Sequence, residues 1–180
     1  RDVAFDKDGS ILTCSEDDAA RAWRPAAGCL DTVLRHKAGA QHVLFTADAK
    51  YALVRTKDQT ALIRKALTDE AVGRPFTPEG GLHAFAVSPD ESKVMTGAED
   101  GRVQFWETAT GLPLGETNRH NGGAWTVAIS PDGKMAVSGG LDGVVNLWDA
   151  RAGRLLRTVL AISNAPVRGL AFSPDSSRIA

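Results

Sequence analysis

Residues 125–160, WTVAISPDGKMAVSGGLDGVVNLWDARAGRLLRTVL, contain four short strand patterns separated by turn residues. Larger and smaller side chains alternate over Trp125–Ile129, as they do in a half-buried strand. Turns are indicated by Pro131-Asp132-Gly133, Asp142-Gly143 and Gly153, because Pro fixes φ, Asp offers a local acceptor and Gly permits positive φ. Connections this short cannot form parallel crossovers, so the stretch predicts a four-stranded antiparallel meander.

The same pattern recurs along the chain at intervals of 40 to 43 residues. One column of Asp residues, in the turn after the first strand, consists of Asp8, Asp48, Asp90, Asp132 and Asp175. A second column, in the turn between the second and third strands, consists of Asp17, Asp58, Asp100 and Asp142. Six residues after the second column come Trp23, Arg64, Trp106 and Trp148. One sheet cannot cover both of its faces, so the sequence predicts stacked repeats, as in a propeller or a solenoid.

The phase of the columns places the repeats within a single domain, 1–180. The expected bounds are about 1–40, 41–82, 83–124 and 125–167, with the opening of a fifth repeat at 168–180. Locally, Ala61–Leu67 has the composition of a helix. The repeat phase overrides this composition, because Ala61, Ile63 and Arg64 align without gaps to the third strand of the next repeat.

These motifs resemble the WD40 repeat family. Trp148-Asp149 is the family's signature dipeptide, and Ser130-Pro131-Asp132-Gly133 and Val144–Asp149 are similar to its consensus. Trp106-Glu107 is a near match, whereas Arg64-Lys65 departs from the motif. The resemblance implies an all-β propeller, commonly of seven blades. We therefore expect four blades and the start of a fifth, forming an open arc whose remaining repeats, about three, lie outside this sequence.

The resemblance also implies a structural network in each blade, in which the turn Asp binds a His, the His a Ser or Thr, and the hydroxyl the Trp. The fourth repeat has all four members: His120, Ser138, Asp142 and Trp148. The other repeats have parts of the set: Thr96, Asp100 and Trp106 in the third, His36 and Asp58 in the second, and Thr13, Asp17 and Trp23 in the first. Pro78 stands at the His position of the third repeat, and Val54 and Arg64 replace the hydroxyl and the indole of the second.

A Ser-His-Asp set also raises the alternative of a hydrolase. Ser138 lies in the middle of a strand without the GxSxG sequence of a nucleophile elbow, and the Asp column recurs in every repeat. These features favour a structural role, so we predict no catalytic residues.

Composition excludes several other classes of function. The 180 residues carry 21 Lys and Arg against 22 Asp and Glu, a net charge of -1, which does not favour binding to nucleic acid or to a membrane surface. No apolar run approaches the roughly 20 residues of a membrane span. The two cysteines, Cys14 and Cys29, lack metal-binding spacing, and no motif indicates a metal or a cofactor. We expect reduced thiols and a cytoplasmic location.

A binding surface is predicted where the first strand of each repeat begins. Apolar residues of one strand face give way there to a mixed column: Arg1, Gln41, His83, Trp125 and Arg168. The residues just before the second Asp column should lie at the same end, the mouth of the propeller channel: Glu16, Lys57, Glu99 and Leu141. In the resembled family this end is the commonest partner surface. Trp125 is the strongest candidate as an anchor, and its alternative role is to cap the apolar core between blades.

The expected function is a non-catalytic scaffold that binds a protein or peptide partner. One alternative is the regulatory or sensor part of a larger enzyme, because Ser-Pro-Asp phrases and the segment 73–78, GRPFTP, are similar to bacterial arrays fused to Ser/Thr protein kinases. Another is a structural piece that contacts nothing but the rest of its own chain.

Overall fold

The computed structural model describes residues 2–5, 11–14, 19–24, 29–35, 40–46, 50–56, 60–65, 68, 70–161 and 165–180. The regular structure in these residues consists of sixteen strands in four sheets of four, paired antiparallel in chain order. The prediction of an all-β fold built from four-stranded antiparallel blades is therefore confirmed. Contacts divide the chain into an N-terminal half, Arg1–Thr77, and a C-terminal half, Pro78–Ala180, which are described separately.

The N-terminal half contains the first two sheets. The first consists of β1 (Asp2–Phe5), β2 (Ile11–Cys14), β3 (Ala19–Arg24) and β4 (Cys29–Arg35). The second consists of β5 (Ala40–Phe45), β6 (Tyr51–Thr56), β7 (Ala61–Lys65) and β8 (Ala71–Phe76). Within the segment of helical composition, Ala61–Lys65 thus forms a strand, and Ile63 pairs with Leu53 of β6. Both side chains are fully buried, which shows that packing of the sheet overrides local helix propensity.

The C-terminal half contains the third and fourth sheets and the residues that follow them. The third sheet consists of β9 (Leu82–Val87), β10 (Lys93–Ala98), β11 (Arg102–Glu107) and β12 (Pro113–Arg119). The fourth consists of β13 (Ala124–Ile129), β14 (Met135–Gly140), β15 (Val144–Asp149) and β16 (Arg154–Ala161). An antiparallel bridge between Phe172 and Ile179 opens the fifth repeat.

An apolar core joins the third and fourth sheets face to face. Phe105 of β11 meets Trp148 of β15 with ring centroids 6.0 Å apart and planes inclined by 58°. Such tilted aromatic pairs contribute about 0.5–1.5 kcal/mol beyond the burial of their area. The buried residues of this cluster are Met95, Val103, Phe105, Ala124, Val127, Ala136, Trp148 and Ala150.

The turn after the first strand repeats one hydrogen-bond pattern. In the fourth repeat, the Ser130 hydroxyl donates to Asp132 Oδ1 at 2.6 Å, and the backbone N–H of Lys134 donates to the same oxygen at 3.0 Å. The backbone N–H of Met135 then donates to Ser130 Oγ at 2.9 Å. The same bonds recur in the third and fifth repeats. The pKa of Asp90, Asp132 and Asp175 is lowered to about 2. The hydrogen bond from the Ser hydroxyl is the largest cause, and the one from the backbone N–H is the second largest.

Candidate functional site

The predicted surface residues of the C-terminal half lie at one end of the sheets. In an antiparallel meander the start of the first strand and the turn between the second and third strands share an end. Backbone hydrogen bonds close this end directly: Glu99 N–H donates to Gly81 O at 2.6 Å, and Leu141 N–H donates to Gly123 O at 3.0 Å. The two turns are therefore held beside the starts of β9 and β13.

Trp125 is the centre of a contact cluster formed by three consecutive repeats. Its indole stacks on the His83 ring, with centroids 4.0 Å apart and planes inclined by 20°. The guanidinium carbon of Arg168 lies 5.9 Å from the indole centroid, within the range of a cation–π interaction. Glu99 Oε1 lies 3.8 Å from His83 Nε2. We call His83, Glu99, Trp125, Leu141 and Arg168 the Trp125 surface.

The Trp125 surface is open to solvent. Trp125 is 36% exposed, whereas Trp148, which is buried between the third and fourth sheets, is 1% exposed. Leu141, Glu99 and Arg168 are exposed, and His83 is half-buried. About a third of the Trp125 side chain is thus open to solvent, far more than of Trp148.

The other predicted residues of this column cannot be placed in the cluster. Gln41 lies on β5, and its side chain is outside the described residues. Arg1, Glu16 and Lys57 also lie outside the described residues. The cluster is accordingly a feature of the C-terminal half.

Two glycines that the sequence reasoning did not single out make room for this surface. A Cβ atom on Gly123 would lie 2.8 Å from the indole Nε1 of Trp125, and one on Gly81 would lie 2.5 Å from the carboxyl carbon of Glu99. The Trp125 and Glu99 side chains thus fold over glycines that directly precede β13 and β9. The signal was present in the sequence, because Gly39, Gly81 and Gly123 each stand two residues before a member of the mixed column.

Two arginines and two carboxylates form ion pairs at the end of the third sheet where β9 begins. Arg102 Nε lies 3.0 Å from Asp100 Oδ2, and Arg102 also pairs with Glu79. Arg119 Nη2 lies 3.8 Å from the same Asp100 oxygen. Asp100, predicted as part of the structural network, also accepts from the backbone N–H of Arg102 at 3.1 Å, as Asp142 does from Val144. Pro78 stands in its repeat where a His would stand.

The structural network of the fourth repeat is a continuous chain of hydrogen bonds. Trp148 Nε1–H donates to Ser138 Oγ at 3.0 Å, and Ser138 Oγ lies 2.9 Å from His120 Nε2. His120 Nδ1 lies 3.1 Å from Asp142 Oδ1. With the proton of His120 on Nδ1, the imidazole donates to the carboxylate and accepts from the Ser138 hydroxyl, so every polar atom in the chain is satisfied.

Asp142 is anchored by the backbone as well as by the imidazole. Burial alone would raise the pKa of Asp142, but the backbone N–H groups of Val144 and Asn121 and the His120 ring outweigh it and lower the pKa. Asn121 N–H donates to Oδ2 at 2.8 Å and Val144 N–H to Oδ1 at 3.1 Å. Ser138 has no exposed surface, which argues against its use as a nucleophile and for a structural role.

Among the described residues, the other repeats form only those hydrogen bonds of this network for which they have the residues. In the third repeat Trp106 Nε1–H donates to Thr96 Oγ1 at 2.9 Å, and this hydroxyl donates to the backbone oxygen of Gln104 at 3.3 Å. In the second repeat, Val54 is buried in place of the hydroxyl residue. His36, Asp58 and Asp17 lie outside the described residues, and Thr13 lies on β2. Trp23 of β3 is 37% exposed, unlike its counterparts.

Stacked four-stranded meanders with this turn chemistry are blades of the β-propeller class. Comparison with protein families finds that the WD40 model, "WD domain, G-beta repeat", matches residues 75–107 and 111–149. These two matches support the assignment of the chain to the WD40-repeat family that its motifs predicted. None of the curated proteins matches the chain.

The assignment carries a general role. WD40 repeats generally mediate protein–protein interaction, and they are typically non-catalytic scaffolds. In the part of the chain that the structure describes, no group of His, Cys, Asp or Glu side chains is arranged to hold a metal ion. The described residues contain no helix with the length and the hydropathy needed to span a membrane.

Proposed function

We propose that the chain is a non-catalytic scaffold that binds a protein or peptide partner through the Trp125 surface. The observation that carries this proposal is the partly exposed indole of Trp125, stacked on His83 and flanked by Arg168. Trp and Arg are the residue types most often found as energetic anchors of interfaces. The cluster combines one of each with an exposed leucine, Leu141.

The surface is also preorganised for binding. Its members come from strand starts and turns that are fixed by backbone hydrogen bonds, and glycine backbone supports the Trp125 and Glu99 side chains. Stacking on His83 restricts the indole before a partner arrives, so less rotamer entropy is lost on binding. These features support a rigid contact surface rather than a flexible loop.

The test is photocrosslinking with the full chain, expressed in its native cells. A benzophenone amino acid replaces Leu141 in one variant, so that Trp125 stays in place, and Leu112 in the control. Leu112 is a suitable control because it is 62% exposed but lies in the turn between the third and fourth strands, at the opposite end of its sheet. We expect a discrete adduct from position 141 that the control does not give. The same adducts from both positions, or none from 141, would contradict the proposal.

A further inference from the structure

The Trp125 surface carries charges of opposite sign in the two repeats that flank the repeat of Trp125. Glu99, beside His83, belongs to the third repeat, Trp125 to the fourth, and Arg168 to the fifth. The fifth repeat is tied to the fourth sheet by two hydrogen bonds, from Leu170 N–H to Thr126 Oγ1 at 3.2 Å and from Val167 N–H to Gly140 O at 3.0 Å. The indole therefore has a cationic neighbour in Arg168, and the His83 ring on which it stacks has an anionic neighbour in Glu99.

The charge of Arg168 is not neutralised within the described part of the chain, where no carboxylate forms an ion pair with it. By contrast, Arg102 pairs with two carboxylates. A guanidinium that lies near an aromatic ring presents a planar, weakly hydrated donor, which suits recognition of a carboxylate. Glu99 is exposed, and its neighbour within ion-pair distance is His83, so it offers an acceptor to a cation.

We propose that the partner segment is an extended peptide with the spacing basic-x-apolar-x-acidic, in either chain direction. This rests on the function proposed above. The acidic side chain pairs with Arg168, the apolar one packs on the exposed part of Trp125 and on Leu141, and the basic one pairs with Glu99. Alternate side chains of an extended strand point to one side and are about 6.6–6.8 Å apart. This spacing matches the scale of the surface, where the Arg168 carbon lies 5.9 Å from the indole centroid.

The charge arrangement also predicts discrimination between peptides. An acidic residue placed at Glu99, or a basic one at Arg168, brings like charges together, so a segment with only one sign of charge binds more weakly. Exchange of either charge should therefore change which peptides are selected and leave the fold intact, because both side chains are exposed.

The experiment is selection from a display library of random 12-residue peptides on the immobilised full chain, with sequencing of the enriched pool. Parallel selections use Arg168→Glu, Glu99→Arg and Trp125→Ala. Arg151→Glu is the matched control, since Arg151 is exposed in the β15–β16 turn at the opposite end. We expect the wild-type chain and the control to enrich the basic-x-apolar-x-acidic spacing. Arg168→Glu should weaken binding of a selected peptide by roughly fivefold or more and should shift selection away from acidic residues.

Two other outcomes separate the two proposals. If peptides are enriched and depend on Trp125, but their charges are random or are unaffected by Arg168→Glu and Glu99→Arg, the charge pattern is wrong and the binding surface stands. If no enriched peptide depends on Trp125, the binding surface itself is contradicted, and the charge pattern fails with it.

Discussion

Asp142 holds the His120 imidazole in the tautomer that lets the network close. Removal of the carboxylate in Asp142→Ala leaves a buried imidazole donor without its acceptor. We expect a loss of about 1–3 kcal/mol in the free energy of unfolding, measured by urea denaturation. Asp100→Ala is the matched control at the same position of the third repeat, where the ion pairs of Asp100 are at the surface, and it should cost less than 1 kcal/mol. Equal losses in the two variants would show that the imidazole contact contributes nothing.

Gly140 is needed in the same network because the Asp142 and His120 side chains leave no room for a Cβ atom at this position. A Cβ atom there would lie 2.6 Å from both Asp142 Oδ1 and His120 Nδ1. Gly140→Ala should therefore force the pair apart and lower the free energy of unfolding by about 1–3 kcal/mol. In Gly169→Ala, the control, the new methyl group meets no atom within 4 Å. Thermal unfolding of the two variants checks the prediction, and a Gly140→Ala protein as stable as the control would refute it.

At the scale of a strand, the second and fourth sheets differ in how their third strands are held. In the fourth, Trp148 of β15 is bonded to Ser138 of β14. In the second, the equivalent residues of β7 and β6 are Arg64 and Val54, which cannot form that bond. Backbone amides of β7 should therefore exchange with solvent faster than those of β15, because local opening there does not have to break an indole-to-hydroxyl hydrogen bond. Hydrogen–deuterium exchange read by mass spectrometry tests this, and slower exchange in β7 would contradict it.

For the molecule as a whole, the Ser-Pro-Asp turns make stability depend on acid. The pKa of Asp90, Asp132 and Asp175 is about 2 in the folded chain, against 3.8 ordinarily. Because the folded pKa is lowered, the stabilisation is complete well above 3.8 and is lost as the pH falls from there towards 2. The urea concentration at the midpoint of unfolding should therefore decrease as the pH is lowered from 6 to 2.5.

The control for this pH dependence is the triple variant Asp90→Asn, Asp132→Asn, Asp175→Asn. Asparagine keeps the shape of the side chain and does not titrate, so the midpoint of the triple variant should change less over the same interval. A change as large as in the parent chain would assign the acid sensitivity to other carboxylates.

Much of this architecture could be predicted because the position of a residue within the repeat, its phase, gives its position within the sheet. The strand order and the placement of His83, Trp125 and Arg168 in one column follow from phase, whereas the four-member network around His120 was implied by the resemblance to the WD40 family. The contacts that phase cannot supply depend on neighbouring side chains. Trp23 shares the column of Trp148 and is nevertheless 37% exposed against 1%. The space below Trp125 was also missed, because a pattern of residue types does not give the path of a side chain over its own backbone.

The uneven exposure of the indoles gives the protein an optical reporter of its own. Trp106 and Trp148 are buried, whereas Trp23 and Trp125 are partly exposed, and Trp125 is in contact with an imidazole and a guanidinium. Trp23 belongs to the first repeat, so we expect its emission to be a constant background. A peptide that covers Trp125 would shield this fluorophore from a dissolved quencher and shift its emission towards the blue. Occupancy of the surface can therefore be followed by intrinsic fluorescence, with no label attached to either molecule.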